Sequence, residues 1–282
     1  LFTVRMCGYW MKQGIFMLRF RQWIGWVFFS TLMIFLYSSG FRGPYVFDDY
    51  VNIVDNTALH LSISDFSIEN LKKAIFSLKS GPFFRPFSYL TFVVNYSIGE
   101  LNPFGYKFFN VCIHIANAFL LYCFLNLIFN FYLSCKNSSD ISVEIKSKCI
   151  SLAAVLLWAF HPLHVSSVLY VVQRMNLLAF FFSMCVLYGY TKLRIKQING
   201  INVYPFYFIL LMIPFILAVL SKENAIVVLG LIFLIEFIFF NFRLAENKVG
   251  ILYKKTSFFL FFLCLFRNQI GLGNLFLEEN FL

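Results

Sequence analysis

Two adjacent carboxylates, Asp48 and Asp49, sit in the stretch YVFDDYVNIVDN (residues 45–56) of a chain with few charges. Neighbouring acids repel, and apolar flanks raise the cost of desolvating them. A pair held between VF and YVNIV therefore fits a carboxylate whose proton affinity is set by burial and by its twin. A second polar set lies far along the chain: His161 and His164 around Pro162 in HPLH, Gln173-Arg174, and Lys222-Glu223 in SKEN. Arg174 and Lys222, together with Arg85, have the charge to hold a phosphate or pyrophosphate, for which Arg adds a two-pronged donor. The histidines lack a third ligand at zinc spacing, so a polar head group or the acid pair is their expected partner. Glu223 adjoins Lys222 and cannot face it on a helix, which leaves Arg174 or a histidine as the expected partner.

The elements that position these residues are membrane-spanning. Of 282 residues, 60% are hydrophobic and only 13% charged, with a mean hydropathy of +0.77. A soluble protein of this size carries roughly 25% charged residues. The net charge of +10 comes as short basic clusters between apolar runs, the pattern of membrane topology and not of nucleic-acid binding. The bilayer is thus a partner and nucleic acid is not. The seven cysteines show no paired spacing and read as small buried hydrophobes. No cofactor is indicated, although Asp48, Asp49 and Asp55 leave room for a divalent cation.

Apolar runs long enough to cross fall at 22–41, 108–135, 149–173 (interrupted by Pro162), 175–191, 197–221 and 224–242, with a short seventh at 256–266. The segment 85–99 is too short and reads as interfacial or re-entrant. These runs predict an all-α polytopic fold: a cytoplasmic N-terminus over 1–21, a transmembrane domain over 22–266 with an outer loop at 42–107, and an atypical tail at 267–282. Arg5, Lys12, Arg19 and Arg21 precede the first span, and the loops after spans two, four and six carry Lys and Arg. The positive-inside rule then puts the N-terminus in the cytoplasm. FDD, HPLH, Gln173-Arg174 and SKEN all fall on the opposite face. Asp65 to Ser77 reads as an amphipathic surface helix capped by Asp65 or Ser67, with Leu71, Ala74, Ile75 and Leu78 on one face. Glu236 reads as snorkelling to the cytoplasmic boundary.

FDDYVNIVDN, SGPFFRPFSYLTFVVNY, NPFGYKFFNVCIHIANAFLLY, FHPLHVSSVLYVVQRMNLLAFFF and LSKENA occur in this order between Val46 and Glu236. With these motifs the chain resembles the GT-C glycosyltransferases related to protein O-mannosyltransferases, specifically the TMTC-like branch that carries a C-terminal tetratricopeptide array. The resemblance implies a GT-C helix bundle, a polyprenyl-phosphate-linked sugar donor, and inverting transfer to a protein or glycan hydroxyl on the non-cytoplasmic face. It implies Asp48, or second Asp49, as general base. Arg174 and Lys222 become donor-phosphate contacts, with Arg85, His161, His164 and Glu223 as further substrate-binding residues. The tail LFRNQIGLGNLFLEENFL departs from the family pattern and reads as a truncation end, and a chain cut there is expected to lose part of its donor pocket and with it activity. The residue bias suggests an AT-rich bacterial genome and hence a bacterial plasma membrane. Two other classes compete: a transporter or flippase of lipid-linked sugars, which would carry mid-membrane polar residues and internal repeats, and a non-catalytic membrane assembly protein, whose polar turns need share no face.

Overall fold

The computed structural model describes residues 22–78, 84–136 and 141–240. The N-terminal segment, the seventh span and the tail expected from the sequence lie outside the described residues. Within them the protein is all α-helical, with no strand. The helices are α1 (Gln22–Ser38), α2 (Ile68–Ile75), α3 (Pro86–Gly99), α4 (Pro103–Lys136), α5 (Ile141–Ala159), α6 (His164–Leu169), α7 (Arg174–Ile198), α8 (Phe206–Leu210), α9 (Met212–Ser221) and α10 (Val228–Ile235).

Three helical stretches are long and apolar enough to cross a membrane: Pro103–Cys135, Val171–Ile198 and Glu223–Phe240. Gln22–Ser38 and Phe206–Ser221 are apolar but shorter. Only 28–50% of the residues in the long apolar windows are buried within the protein. Side chains such as Phe35, Leu157 and Phe237 are correspondingly exposed, so much of the bundle surface is fit for lipid. α4 is the central post, packing on both α5 and α7, and α7 packs on α9. One apolar core joins α1, α4 and α5 around Met33, Val111 and Val155, and another joins α7, α9 and α10 around Tyr190, Phe215 and Ile232.

The third run does not cross as one piece. α5 ends at Ala159, Pro162 occupies the turn, α6 lasts six residues, and a 3-10 turn at Val171–Gln173 leads into α7. Proline lacks the N–H a helix needs, so the chain folds back there. α3 begins with Pro86 at its first turn and runs 14 residues, about 21 Å, too short to span. It packs on α2, α4, α7 and α9 as part of a cap at one end of the bundle. α2 starts where Ser67 Oγ accepts the Asn70 N–H at 3.1 Å, so Ser67 and not Asp65 is its cap. Ala74 and Leu78 are buried, and Leu71 packs beside them. Gly40 lets α1 meet α6 closely: a Cβ there would run into the Leu169 side chain.

Two readings are corrected. Glu236 does not snorkel; it is fully buried, ion-paired with Arg194 through Arg194 Nε, with Arg194 Nη2 to Oε2 at 3.1 Å and Tyr190 Oη to Oε1 at 2.7 Å. Nor are the cysteines core residues: among the described residues Cys112, Cys135 and Cys149 are exposed and Cys123 and Cys185 half-buried, all as free thiols.

Candidate functional site

The cap is assembled by contacts between segments more than a hundred residues apart. Phe47 has φ 46°, a left-handed conformation that costs a bulky residue about 1–3 kcal/mol. The bend sends the two aspartates in opposite directions. Asp49 is fully buried. Its Oδ2 accepts the N–H groups of Val46 at 3.2 Å and Val171 at 3.4 Å, and its Oδ1 accepts that of Val172 at 2.8 Å. Burial raises the Asp49 pKa, while these amides and the nearby Lys107 charge pull it back. Asp48 is exposed, and its backbone N–H donates to Tyr170 Oη at 3.0 Å. Tyr89 Oη donates to Asn52 Oδ1 at 2.8 Å, while the Asn52 amide donates to the Asp48 carbonyl. Burial also raises the pKa of Tyr89, to about 12, so it stays a neutral donor. The geometry therefore separates the pair: Asp48 presents a solvent-facing carboxylate, and Asp49 caps the 171–173 turn from below.

The cations are also distinct from one another. Arg174 is fully buried and has no carboxylate partner among the described residues. Nε donates to Asn110 Oδ1 at 2.8 Å, Nη1 to the Thr91 carbonyl at 3.1 Å and Nη2 to the Tyr106 carbonyl at 2.9 Å. The rings of Phe92 and Phe109 flank it at 4.8 and 4.7 Å, a cation–π cage. A guanidinium engaged this way ties α3, α4 and α7 together, and a donor phosphate would reach it only if the cage opened. Arg85 pairs two-pronged with Glu223, Nε to Oε2 at 3.0 Å and Nη2 to Oε1 at 2.7 Å, so Glu223 turns to Arg85 and not to Arg174 or a histidine. Ser88 Oγ donates to the Ser221 carbonyl at 2.9 Å, locking α3 to the end of α9. Lys222 stands beside this pair. Burial, and then the Arg85 charge, lowers its pKa, while the Glu223 carboxylate pulls it back up.

Pro162 places the two histidines in different spaces. His161 borders a cavity of about 350 Å³ with Met33 and Tyr37 of α1. His164 borders another of about 350 Å³ between α4, α5, α7 and α10, its ring 4.5 Å from Trp158 and 5.0 Å from His114. Among the described residues no three His, Cys, Asp or Glu side chains gather as a metal site.

The sequence reading passed over Lys107, Asn110 and Tyr170. Lys107 Nζ donates to the carbonyls of Gly43 at 2.8 Å and Pro44 at 3.0 Å, tying the loop after α1 to α4. Asn110 Nδ2 donates to the Val168 carbonyl at 3.0 Å. Lys107, Asn110, His114 and Asn117 recur every three or four residues along α4 and are all buried. A polar stripe at helical period inside an apolar span marks a face turned into the bundle, and that signal was available in NPFGYKFFNVCIHIANAF.

The fold and this cap define an all-α membrane protein in which Asp48, Asp49, Arg85, Arg174, Lys222 and Glu223 are gathered at one end of the bundle. Comparison with curated proteins places it further: the chain is a TMTC-like relative of the protein O-mannosyl-transferases. It is 28% identical to protein O-mannosyl-transferase TMTC4 of Homo sapiens, over 81% of this chain and 31% of the relative. It is 31% identical to TMTC3 of Mus musculus, over 66% and 18%, and 29% identical to a Caenorhabditis elegans protein O-mannosyl-transferase, over 74% and 27%. The chain thus spans less than a third of these relatives' length. No protein-family model and no solved structure matches it.

Proposed function

We propose that this chain is part of a GT-C-type inverting glycosyltransferase that moves a sugar from a polyprenyl-phosphate donor to a protein or glycan hydroxyl. The reading rests on the relatives, each named a protein O-mannosyl-transferase. The single observation that carries it to residues is the opposed orientation of the aspartates, which leaves Asp48 open beside Tyr170. Asp48 takes the acceptor's hydroxyl proton as that oxygen bonds to the anomeric carbon from the face opposite the phosphate. The anomeric C–O bond to phosphate breaks, and the bond electrons leave with the polyprenyl phosphate. Lys222 meets the charge that develops there. Arg85 and Glu223 hold the lysine's turn in place, with His164 near the same turn and His161 on the α1 side. Arg174 acts through the cage that fixes the start of α7, and Asp49 through the turn that carries Tyr170. The site faces the non-cytoplasmic side of what composition suggests is a bacterial plasma membrane, with the N-terminus cytoplasmic.

The test is mannose transfer from radiolabelled polyprenyl-phosphate mannose in membranes expressing the chain. Because its relatives are longer, a full-length relative carrying the matching substitutions is assayed in parallel. Asp48→Asn is expected to lower kcat by roughly 10²- to 10⁴-fold, the range of a lost general base, with a much smaller effect on donor KM. Unchanged transfer in Asp48→Asn would sink the base assignment.

A further inference from the structure

Phe47 is 83% exposed, more than any other large apolar side chain among the described residues. Its backbone is also left-handed, with φ 46°. Glycine makes such a bend without strain, so a bulky residue held this way has a use for its side chain. That use lies outside the protein's own core. The ring touches Tyr170 edge-on, with centroids 6.5 Å apart, and leaves most of its surface open. Val51 repeats the pattern, 71% exposed in the π-helical stretch Tyr50–Val54. Asp48, itself exposed, lies between the two in the chain. It precedes Val51 by three residues, the spacing of neighbours on a helical surface.

Three kinds of partner compete for such a patch, and the surroundings of Asp48 separate them. Hydrocarbon cannot take the Phe47 ring without also dehydrating the carboxylate of the next residue, which is costly. A glycan needs directional polar partners to fix it, and the nearby carboxamide is engaged at both ends. Asn52 Nδ2 donates to the Asp48 carbonyl at 2.8 Å, and Asn52 Oδ1 accepts from Tyr89 Oη at 2.8 Å. The Tyr170 oxygen likewise accepts the Asp48 N–H. What remains beside the carboxylate is apolar and uncharged, which suits an aliphatic or aromatic side chain. Such a side chain, on the same molecule as a hydroxyl at Asp48, belongs to a polypeptide. In an extended polypeptide every second side chain points the same way, roughly 6.5 Å apart.

We propose that Phe47 and Val51 form an apolar platform that selects polypeptide acceptors with a bulky apolar side chain two residues from the hydroxyl. The proposal rests on the reading of Asp48 as the base, and adds to it a preference for the acceptor's own sequence.

The test titrates two fluorescent peptides, each with one central threonine, against the full chain in lipid nanodiscs, with empty nanodiscs as the blank. One peptide carries leucine two residues to either side of the threonine, and the other carries alanine there. The wild-type chain is expected to bind the leucine peptide about fivefold or more tightly, the scale of partly burying a leucine side chain. Phe47→Gly should bring that advantage below about twofold, and Val51→Ser should reduce it. Phe47→Gly relieves the left-handed strain, so it is expected to melt no lower than the wild type. If it does melt lower, Val51→Ser decides. Equal binding of the two peptides by the wild type, binding of neither, or an advantage that survives both substitutions overturns the proposal. A leucine advantage as large in empty nanodiscs means that lipid takes the side chain, and overturns it too. Peptide binding involves no proton transfer, so the fate of the base is read separately. A missing preference, with transfer still lost in Asp48→Asn, overturns the platform alone. A preference with undiminished transfer in Asp48→Asn supports the platform and sinks the base alone.

Discussion

Asp48 and Asp49 are chemically identical and adjacent, and a left-handed residue before them gives them different roles. Asp49 holds three backbone amides, two of them from residues 171 and 172; removing it strands those donors in a buried place. Asp49→Ala is therefore expected to destabilise the protein by about 2–3 kcal/mol, read as a lower melting temperature in detergent. Asp48→Ala should stay within about 0.5 kcal/mol, as exposed substitutions do. Equal losses would show that Asp48 is also built into the fold. The acid pair itself was readable in the sequence, since two carboxylates amid VF and YVNIV have few bland explanations. Which one faces solvent was not, because the amides that bury Asp49 come from some 120 residues away. Tyr170 was hidden for the same reason: a tyrosine among apolar residues looks like any other until the loop that touches it is known.

At the scale of elements, α4 does the positioning. Its apolar face makes it a span, and its polar stripe makes it the member against which loop, turn and neighbouring helices register. Period reading alone found the span and not the stripe, because four polar residues in a run of this length leave the average hydropathy high. The break at Pro162 was readable for the opposite reason, as proline's missing N–H is a local fact. At the far end of α7, Glu236 was misread because a carboxylate near a span's end has an easy interfacial explanation, and only the register of α7 against the π-helical stretch 236–240 shows that it faces inward to Arg194. A pair desolvated this fully owes its stability to both partners being present. Arg194→Met is expected to destabilise by about 3–5 kcal/mol, and so is Glu236→Leu. The double substitution should lose much less than the sum, measured as a double-mutant cycle of melting temperatures. Additive losses would mean that the two charges are satisfied independently.

For the whole molecule, the contacts of the cap constrain topology more tightly than charge counting does. Asp49 binds the turn after α6, and Arg85 binds Glu223, so the loop after α1, the start of α3, the α6–α7 turn and the α9–α10 turn must all open on one side. By the positive-inside rule we propose that this side is the non-cytoplasmic one, since Lys146 and Lys148 lie at the other end of the bundle, at the start of α5. Substituted cysteines in a cysteine-free background test both statements together. Phe47→Cys, at a position 83% exposed, and Phe66→Cys, on the same loop, are expected to react with a membrane-impermeant maleimide on intact cells. Lys146→Cys should react only after the membrane is opened. Labelling of residues 47 and 146 from the same side would break the alternation of spans. Labelling of 47 and 66 from opposite sides would break the cap, because a chain that crossed between them could not bring α2 against the core in which Ile53, Ala74 and Tyr89 meet.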